Sequence, residues 1–130
     1  MARTAQIAYA IVRIVAGLMF ASHGGQKLFG WFGAEPMTGK PMMLAAGILE
    51  LVCGLLIAVG LFARIAGFLA SGEMAVAYFM AHAPQGIWPV QNKGEAAVFY
   101  CFFFLFVAAH GAGIASLDAL RGRPAAAVRP

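Results

Sequence analysis

Four apolar runs, at residues 5–22, 42–61, 65–82 and 96–113, follow one another with only short polar or turn-forming segments between them. A run of about 20 apolar residues is what an α-helix needs to cross the roughly 30 Å hydrocarbon core of a bilayer at 1.5 Å per residue. The backbone must satisfy its own hydrogen bonds there, so runs of this length read as helices. The breaks between them have local causes. Gly30, Gly33, Pro36, Gly39 and Pro41 fill the first, residues 60–64 the second, and Pro84, Gly86, Pro89, Asn92 and Gly94 the third. Proline removes a helix donor and glycine relaxes the backbone.

The solvent follows from charge. Only 11% of the residues are charged and 62% are hydrophobic, against about 25% charged in ordinary soluble domains. A chain of 130 residues has room for four crossings and no separate soluble domain. The expected fold is therefore all-α, an antiparallel four-helix transmembrane bundle over residues 1–118. Residues 119–130, basic and without apolar periodicity, are expected to form a disordered cytoplasmic tail. The first run is not followed by a small-residue cleavage site and a soluble domain, so it reads as a retained span.

Orientation comes from the basic residues. Arg3, Arg64, Arg121, Arg123 and Arg129 fall on one side, Lys27, Lys40 and Lys93 on the other. The excess of positive charge marks the cytoplasmic side, which places both termini in the cytoplasm and the segment His23–Gly33 on the outer side. The net charge of +4 is absorbed by this topology and does not indicate nucleic acid as a partner. Gly17, Gly24, Gly47, Gly54 and Gly67 suggest close helix packing, because small residues substitute in lipid for the hydrophobic drive between helices.

The residues that lipid should reject are the informative ones. Arg13, Glu50 and Glu73 each lie well inside an apolar run, where a charge costs about 2.5–3.5 kcal/mol even on insertion scales. Counted along their helices, Arg13 and Glu73 both sit about 12 Å from the inner ends, and Glu50 about 6 Å higher. Arg13 with Glu73 is the expected ion pair, with Glu50 as competitor or third member, because a guanidinium fork can serve two carboxylates. Such a group either fixes helix register or carries a proton or a ligand contact.

More polarity gathers at the outer end. His23 and Lys27 are four residues apart on one helix face, and Gln26 lies beside them. Asn92 and Glu95 reach the same level, where they can equally serve as a cap and a first-turn acid for the last helix. No metal site is expected: His23, His82, His110, Cys53 and Cys101 show neither His-x-x-x-His nor Cys-x-x-Cys spacing. The many phenylalanines of the last run cover all sides of its helix, as expected where one side meets lipid and the other packs.

The combination of an arginine in the first span with "GLMFASHGGQKLFGWFG", then "GILELVCGLLIAVGLFAR", "GEMAVAYFMAHAP" and "NKGEAAVFYCFFFLFVAAHGAG" resembles the DoxX family of small bacterial four-helix membrane proteins. The likeness runs from about Val12 to Asp118. It places the family's recurrent polar positions on Arg13, His23, Gln26, Lys27, Glu50, Glu73, Asn92 and Glu95. Family members are associated with archaeal terminal oxidase and thiosulfate:quinone oxidoreductase complexes and with membrane assemblies that handle redox stress.

The resemblance thus implies a multi-pass protein of the bacterial cytoplasmic membrane acting as a membrane subunit of a quinone-linked redox system. Glu50 and His23 would be the reacting groups, Glu50 exchanging a proton and His23 with Lys27 donating hydrogen bonds to a quinone carbonyl. Arg13 and Glu73 would set the charge of Glu50, with Gln26, Asn92 and Glu95 completing the polar shell. The implied partners are membrane lipids, a redox protein that supplies electrons and, in a homo-oligomer, further copies of the chain. Two other classes fit the same residues: a non-catalytic scaffold that recruits a soluble redox enzyme through its basic face, and a small transporter built around the midplane charges. Whether the chain is itself an enzyme is left open.

Overall fold

A computed structural model describes residues 2–122. All regular structure among them is helical: α1 (Arg3–Phe29), α2 (Pro41–Val59), α3 (Ala63–Ala77), α4 (Pro89–Asn92), α5 (Glu95–His110) and α6 (Leu117–Arg121). Of these, α1 and α2 are long and apolar enough to cross a membrane, and α5 is a shorter apolar helix. The third apolar run is subdivided: α3 passes into a π-helical turn at Tyr78–His82 and then a 3₁₀ turn at Ala83–Gln85. Pro84 lies within that 3₁₀ turn and Gly86 and Pro89 follow it; the prolines block and the glycine disfavours continuation of an α-helix there.

The helix ends obey local chemistry. Gly30 closes α1 and Gly60 closes α2, both with φ of 73°, a left-handed conformation that costs glycine nothing. Pro41 opens α2, where its missing N–H would have had no intrahelical partner anyway. By contrast, "HGGQKLF" does not end the first helix. α1 continues through Gly24 and Gly25 to Phe29, because both glycines lie against other parts of the chain, Gly24 on the backbone of α2 and Gly25 under the Trp31 ring.

Two helix pairs make most of the packing. α1 and α2 run antiparallel at backbone contact: a Cβ on Gly17 would lie 2.6 Å from the Ala58 nitrogen, and one on Gly54 would lie 2.5 Å from the Ala21 nitrogen. α3 and α5 run antiparallel too, with Gly67 against Phe104 and Ala108 and the Ser71 hydroxyl donating to the Cys101 carbonyl at 2.7 Å. Between the pairs lie Phe20, Ile57, Phe104 and Val107, all fully buried. The Phe20 and Phe104 rings meet edge to face at 4.8 Å between centroids, the arrangement ring quadrupoles favour.

At the end of the molecule that holds the α1 N-terminus, residues 111–121 are strapped across the helix ends. Asp118 accepts from the backbone N–H groups of Phe62 and Ala63 at 2.8 and 2.9 Å, which caps α3. Arg64 donates to the carbonyls of Ala108, Ala109 and His110 and so closes α5 with a cation, as its dipole favours. α6 spans the expected boundary at residue 118 and carries helical structure to Arg121. The rest of the expected tail lies outside the described residues.

Candidate functional site

Arg13 belongs to this strapped end. It is fully buried, and it pairs with neither Glu50 nor Glu73. Its Nε donates to the Ile57 carbonyl at 3.0 Å, Nη1 to Ala112 and Ile114, and Nη2 to Ala58 and Ala115. A guanidinium has five N–H donors, and here each finds a backbone carbonyl. Two of these carbonyls belong to the last turn of α2, which lacks helical partners, and three to the strap. The expected ion pair with Glu73 is corrected accordingly, and so is the influence of Arg13 on Glu50.

The cause is register. Counting from Arg3 puts Arg13 near the middle of its helix, but α1 overhangs α2: Gly17 sits opposite Gly54 and Ala58. Arg13, one turn lower, therefore lies level with the C-terminus of α2. Glu50 lies level with Gly24, whose neighbours are Gly47 and Leu51.

At that level Glu50 is buried, 2% exposed, and takes a different cation: Lys27 Nζ stands 2.8 Å from its Oε1. Lys27 reaches it because α1 continues past Ser22 for almost two further turns. The pair forms part of the wall of a cavity of about 510 Å³ between α1, α2, α3 and α5. His23, Glu73, His82 and Tyr100 supply the rest of its polar lining. Met42, Met43, Met74 and Met80 contribute to the apolar lining, flexible side chains that adapt to a bound shape.

The buried Tyr100 hydroxyl in this cavity has no hydrogen-bond partner among the described residues, and the buried Glu73 Oε1 has no nitrogen or hydroxyl donor. The Glu73 carboxyl stands within hydrogen-bonding reach of the Glu50 carboxyl, with Lys27 nearby. Tyr100 stacks on Phe104 at 5.4 Å and meets the edge of His23 at 6.2 Å. Native structures rarely leave buried polar atoms unpaired, since each costs about 1–3 kcal/mol. The unpaired Tyr100 hydroxyl and the carboxyl pair facing one cavity mark where a ligand's polar group can dock.

Of the residues singled out in the sequence, His23, Lys27, Glu50 and Glu73 therefore meet at one cavity. Gln26 lies outside its wall. Asn92 is buried and holds the loop before α5: its Nδ2 donates to the Tyr78 hydroxyl at 2.9 Å and to the Gly86 carbonyl, and its Oδ1 accepts from Gly94 N–H at 2.8 Å. Glu95 is an exposed residue in the first turn of α5. Tyr100 and His82 were missed as site residues. The signal for Tyr100 was a lone phenol inside an apolar run; for His82 it was an imidazole two residues before a proline. His82 Nδ1 lies 3.1 Å from the Asn92 carbonyl, which ties the cavity wall to the Asn92 loop.

Residues 8–83 match the model of the DoxX family. That stretch carries Arg13, His23, Lys27, Glu50 and Glu73, and it ends before Asn92, Glu95 and Tyr100. A protein of Haemophilus influenzae (strain ATCC 51907 / DSM 11121 / KW20 / Rd), described only as an uncharacterized protein, is 41% identical over 116 residues, covering 84% of this chain and 87% of its own. No solved structure matches the chain.

Proposed function

The chain belongs to the DoxX family, and on that premise we propose that it is a membrane subunit of a quinone-linked redox assembly, with the Glu50 cavity as its quinone site. The observation that carries this reading is the unpartnered Tyr100 hydroxyl beside the Glu50–Glu73 carboxyl pair in an otherwise methionine-rich cavity. A quinone head is a flat apolar ring with two carbonyl oxygens. Its ring suits the methionine and aromatic walls, and its oxygens suit a phenol and a carboxyl with unused hydrogen-bonding capacity. The volume of about 510 Å³ falls within the 300–1,000 Å³ typical of small-molecule sites.

The quinone supplies two-electron redox chemistry when bound; the protein supplies position and protons. Tyr100 can donate to one ring oxygen. Lys27 holds Glu50 by its ion pair, and Glu50 with Glu73 forms a carboxyl couple through which a proton can be handed to the ligand. His23, exposed at the rim, is suited to exchange protons with water. None of these side chains is a source of electron pairs, so a redox partner provides them.

The same proposal places α1, α2, α3 with its π-helical continuation, and α5 across the bacterial cytoplasmic membrane as an antiparallel four-helix bundle with both termini inside. Exposed Ile11, Val15 and Leu18 on α1, Phe68 on α3 and Phe99, Phe102 and Phe106 on α5 support lipid contact, because soluble monomers rarely expose contiguous apolar surface on this scale. The Lys27–Glu50 pair strengthens the charge asymmetry: with Lys27 neutralised inside the protein, Lys40 and Lys93 remain on the outer side.

The test is purification in native lipid followed by quinone extraction and thermal unfolding with added quinone. Stoichiometric quinone and a raised Tm are expected, the rise shrinking in Tyr100→Phe. Absence of retained quinone together with an unchanged Tm would refute the site.

A further inference from the structure

A second cavity, of about 880 Å³, opens at the opposite end of the molecule, beneath the strap, and is lined by Tyr9, Phe62, Arg64, His110, Asp118 and Arg121 among others. Its charges are unbalanced. Both oxygens of Asp118 are committed to the Phe62 and Ala63 N–H groups, so its carboxylate does not bridge to the arginines. Arg121 lies 4.6 Å above the Phe62 ring, and its guanidinium has no hydrogen-bond or carboxylate partner among the described residues. Arg64 uses Nη1 and one contact of Nη2 on the α5 carbonyls, and its Nε–H has no acceptor among the described residues. The His110 ring is stacked on Phe106 at 5.2 Å and has no side-chain hydrogen bond among the described residues.

Two guanidiniums and an imidazole from α3, α5 and α6 thus line one recess whose single carboxylate, Asp118, is engaged by backbone N–H groups and bridges to neither arginine. Apolar surface continues from that recess. Ile65 belongs to its lining, Phe68 follows one turn along α3, and both are exposed. Beyond them Gly72 faces open space, with nothing within 4 Å of a Cβ built on it. An ammonium or a neutral head would gain nothing from this arrangement. A phosphate would find charge-assisted donors, and an acyl chain attached to it would find the α3 stripe.

We propose that this recess is a site for the phosphate of an anionic phospholipid, gripped by Arg121 and Arg64 with its acyl chains along Ile65 and Phe68. The site is separate from the Glu50 cavity and stands or falls apart from the quinone reading. The apolar stripe distinguishes the lipid from free phosphate, which would use the arginines alone.

The test is native mass spectrometry of the full chain in detergent, titrated with phosphatidylglycerol, phosphatidylcholine and inorganic phosphate. Tighter binding of phosphatidylglycerol than of phosphatidylcholine is expected. Each arginine near a membrane surface is worth roughly fivefold in affinity, by the usual 1 kcal/mol per basic residue. Arg121→Gln should therefore weaken phosphatidylglycerol about fivefold and leave phosphatidylcholine unchanged. Arg121 caps no helix carbonyl, so this variant tests the site without disturbing the fold. Phe68→Ser should weaken the lipid while leaving any effect of inorganic phosphate untouched. Equal affinity for the two lipids, an unchanged preference in Arg121→Gln, or inorganic phosphate competing as well as the lipid would each overturn the proposal.

Discussion

Arg13 offers the sharpest test of the architecture, because two arrangements of the buried charges predict opposite couplings. With Arg13 bound to five backbone carbonyls, Arg13→Met strips the last turn of α2 and the strap of their shared donor. Hydrogen bonds from a charged group contribute about 1.5–3 kcal/mol each, but five on one side chain do not add. The loss of a buried charge from its partners suggests a net cost of about 3–5 kcal/mol, a large share of the 5–15 kcal/mol typical of a domain. Arg13→Lys should recover only part of this, since an ammonium has three donors radiating from one point and cannot span carbonyls on two segments.

The coupling to Glu50 decides the matter. Glu50 lies level with Gly24, eleven positions along α1 from Arg13, or about 16 Å at the helical rise. A double-mutant cycle of Arg13→Met with Glu50→Gln should close to within about 0.5 kcal/mol, as for independent sites. The cycle of Lys27→Met with Glu50→Gln should not close. Each single change strands one partner of a pair in which Glu50 is fully buried, and the double change strands neither, so a coupling of about 2 kcal/mol is expected. Reversible unfolding of the full chain in mixed micelles, by titration with a denaturing detergent, gives both cycles. A coupling above about 1 kcal/mol between Arg13 and Glu50, or none between Lys27 and Glu50, would refute the register described above.

Four other substitutions separate packing from chemistry. Gly17→Ala places a Cβ 2.6 Å from the Ala58 nitrogen and should cost about 1–3 kcal/mol as α1 and α2 are forced apart, whereas Gly72→Ala, with open space around it, should stabilise by about 0.4–1 kcal/mol; the two Tm shifts should have opposite signs. Tyr100→Phe removes a buried hydroxyl that has no partner, so the Tm of the ligand-free protein should hold or rise even as the Tm gain on adding quinone shrinks. Asp118→Ala removes the carboxylate that accepts from Phe62 and Ala63 and should cost about 1–2 kcal/mol, with faster hydrogen exchange at those two amides as the local readout.

The helices were legible in the sequence because their determinants are local. Apolar runs and the glycines and prolines between them give α2, α5 and the start of α1 to within a few residues, whereas α1 runs seven residues past its apolar run before Gly30 stops it. What local pattern could not give was the stagger of α1 on α2. The depth of Arg13 was counted from the start of its own helix, whereas its level is set by the contact of Gly17 with Gly54, between residues 37 positions apart. An error of two turns in that stagger moves Arg13 from the carboxylates to the strap. The carbonyls that receive it left no trace in the sequence, since every residue has one.

Lys27 failed to appear as the partner of Glu50 for a related reason. The apolar run breaks at Ser22, and a lysine beyond such a break reads as an anchor at the membrane surface. The helix ignores the break because Gly24 and Gly25 let α2 and Trp31 close over it, which carries Lys27 inward. The polar residues of the chain then divide by what answers them. Arg13 and Asn92 are satisfied by backbone and loop groups, which is the behaviour of residues that hold a fold. The Tyr100 hydroxyl is buried with its capacity unspent and the Glu73 carboxyl is set against that of Glu50, beside an ion pair whose carboxylate has been brought out of water. A fold gains nothing from that combination, so the cavity around Glu50 is where this protein's chemistry should be sought first.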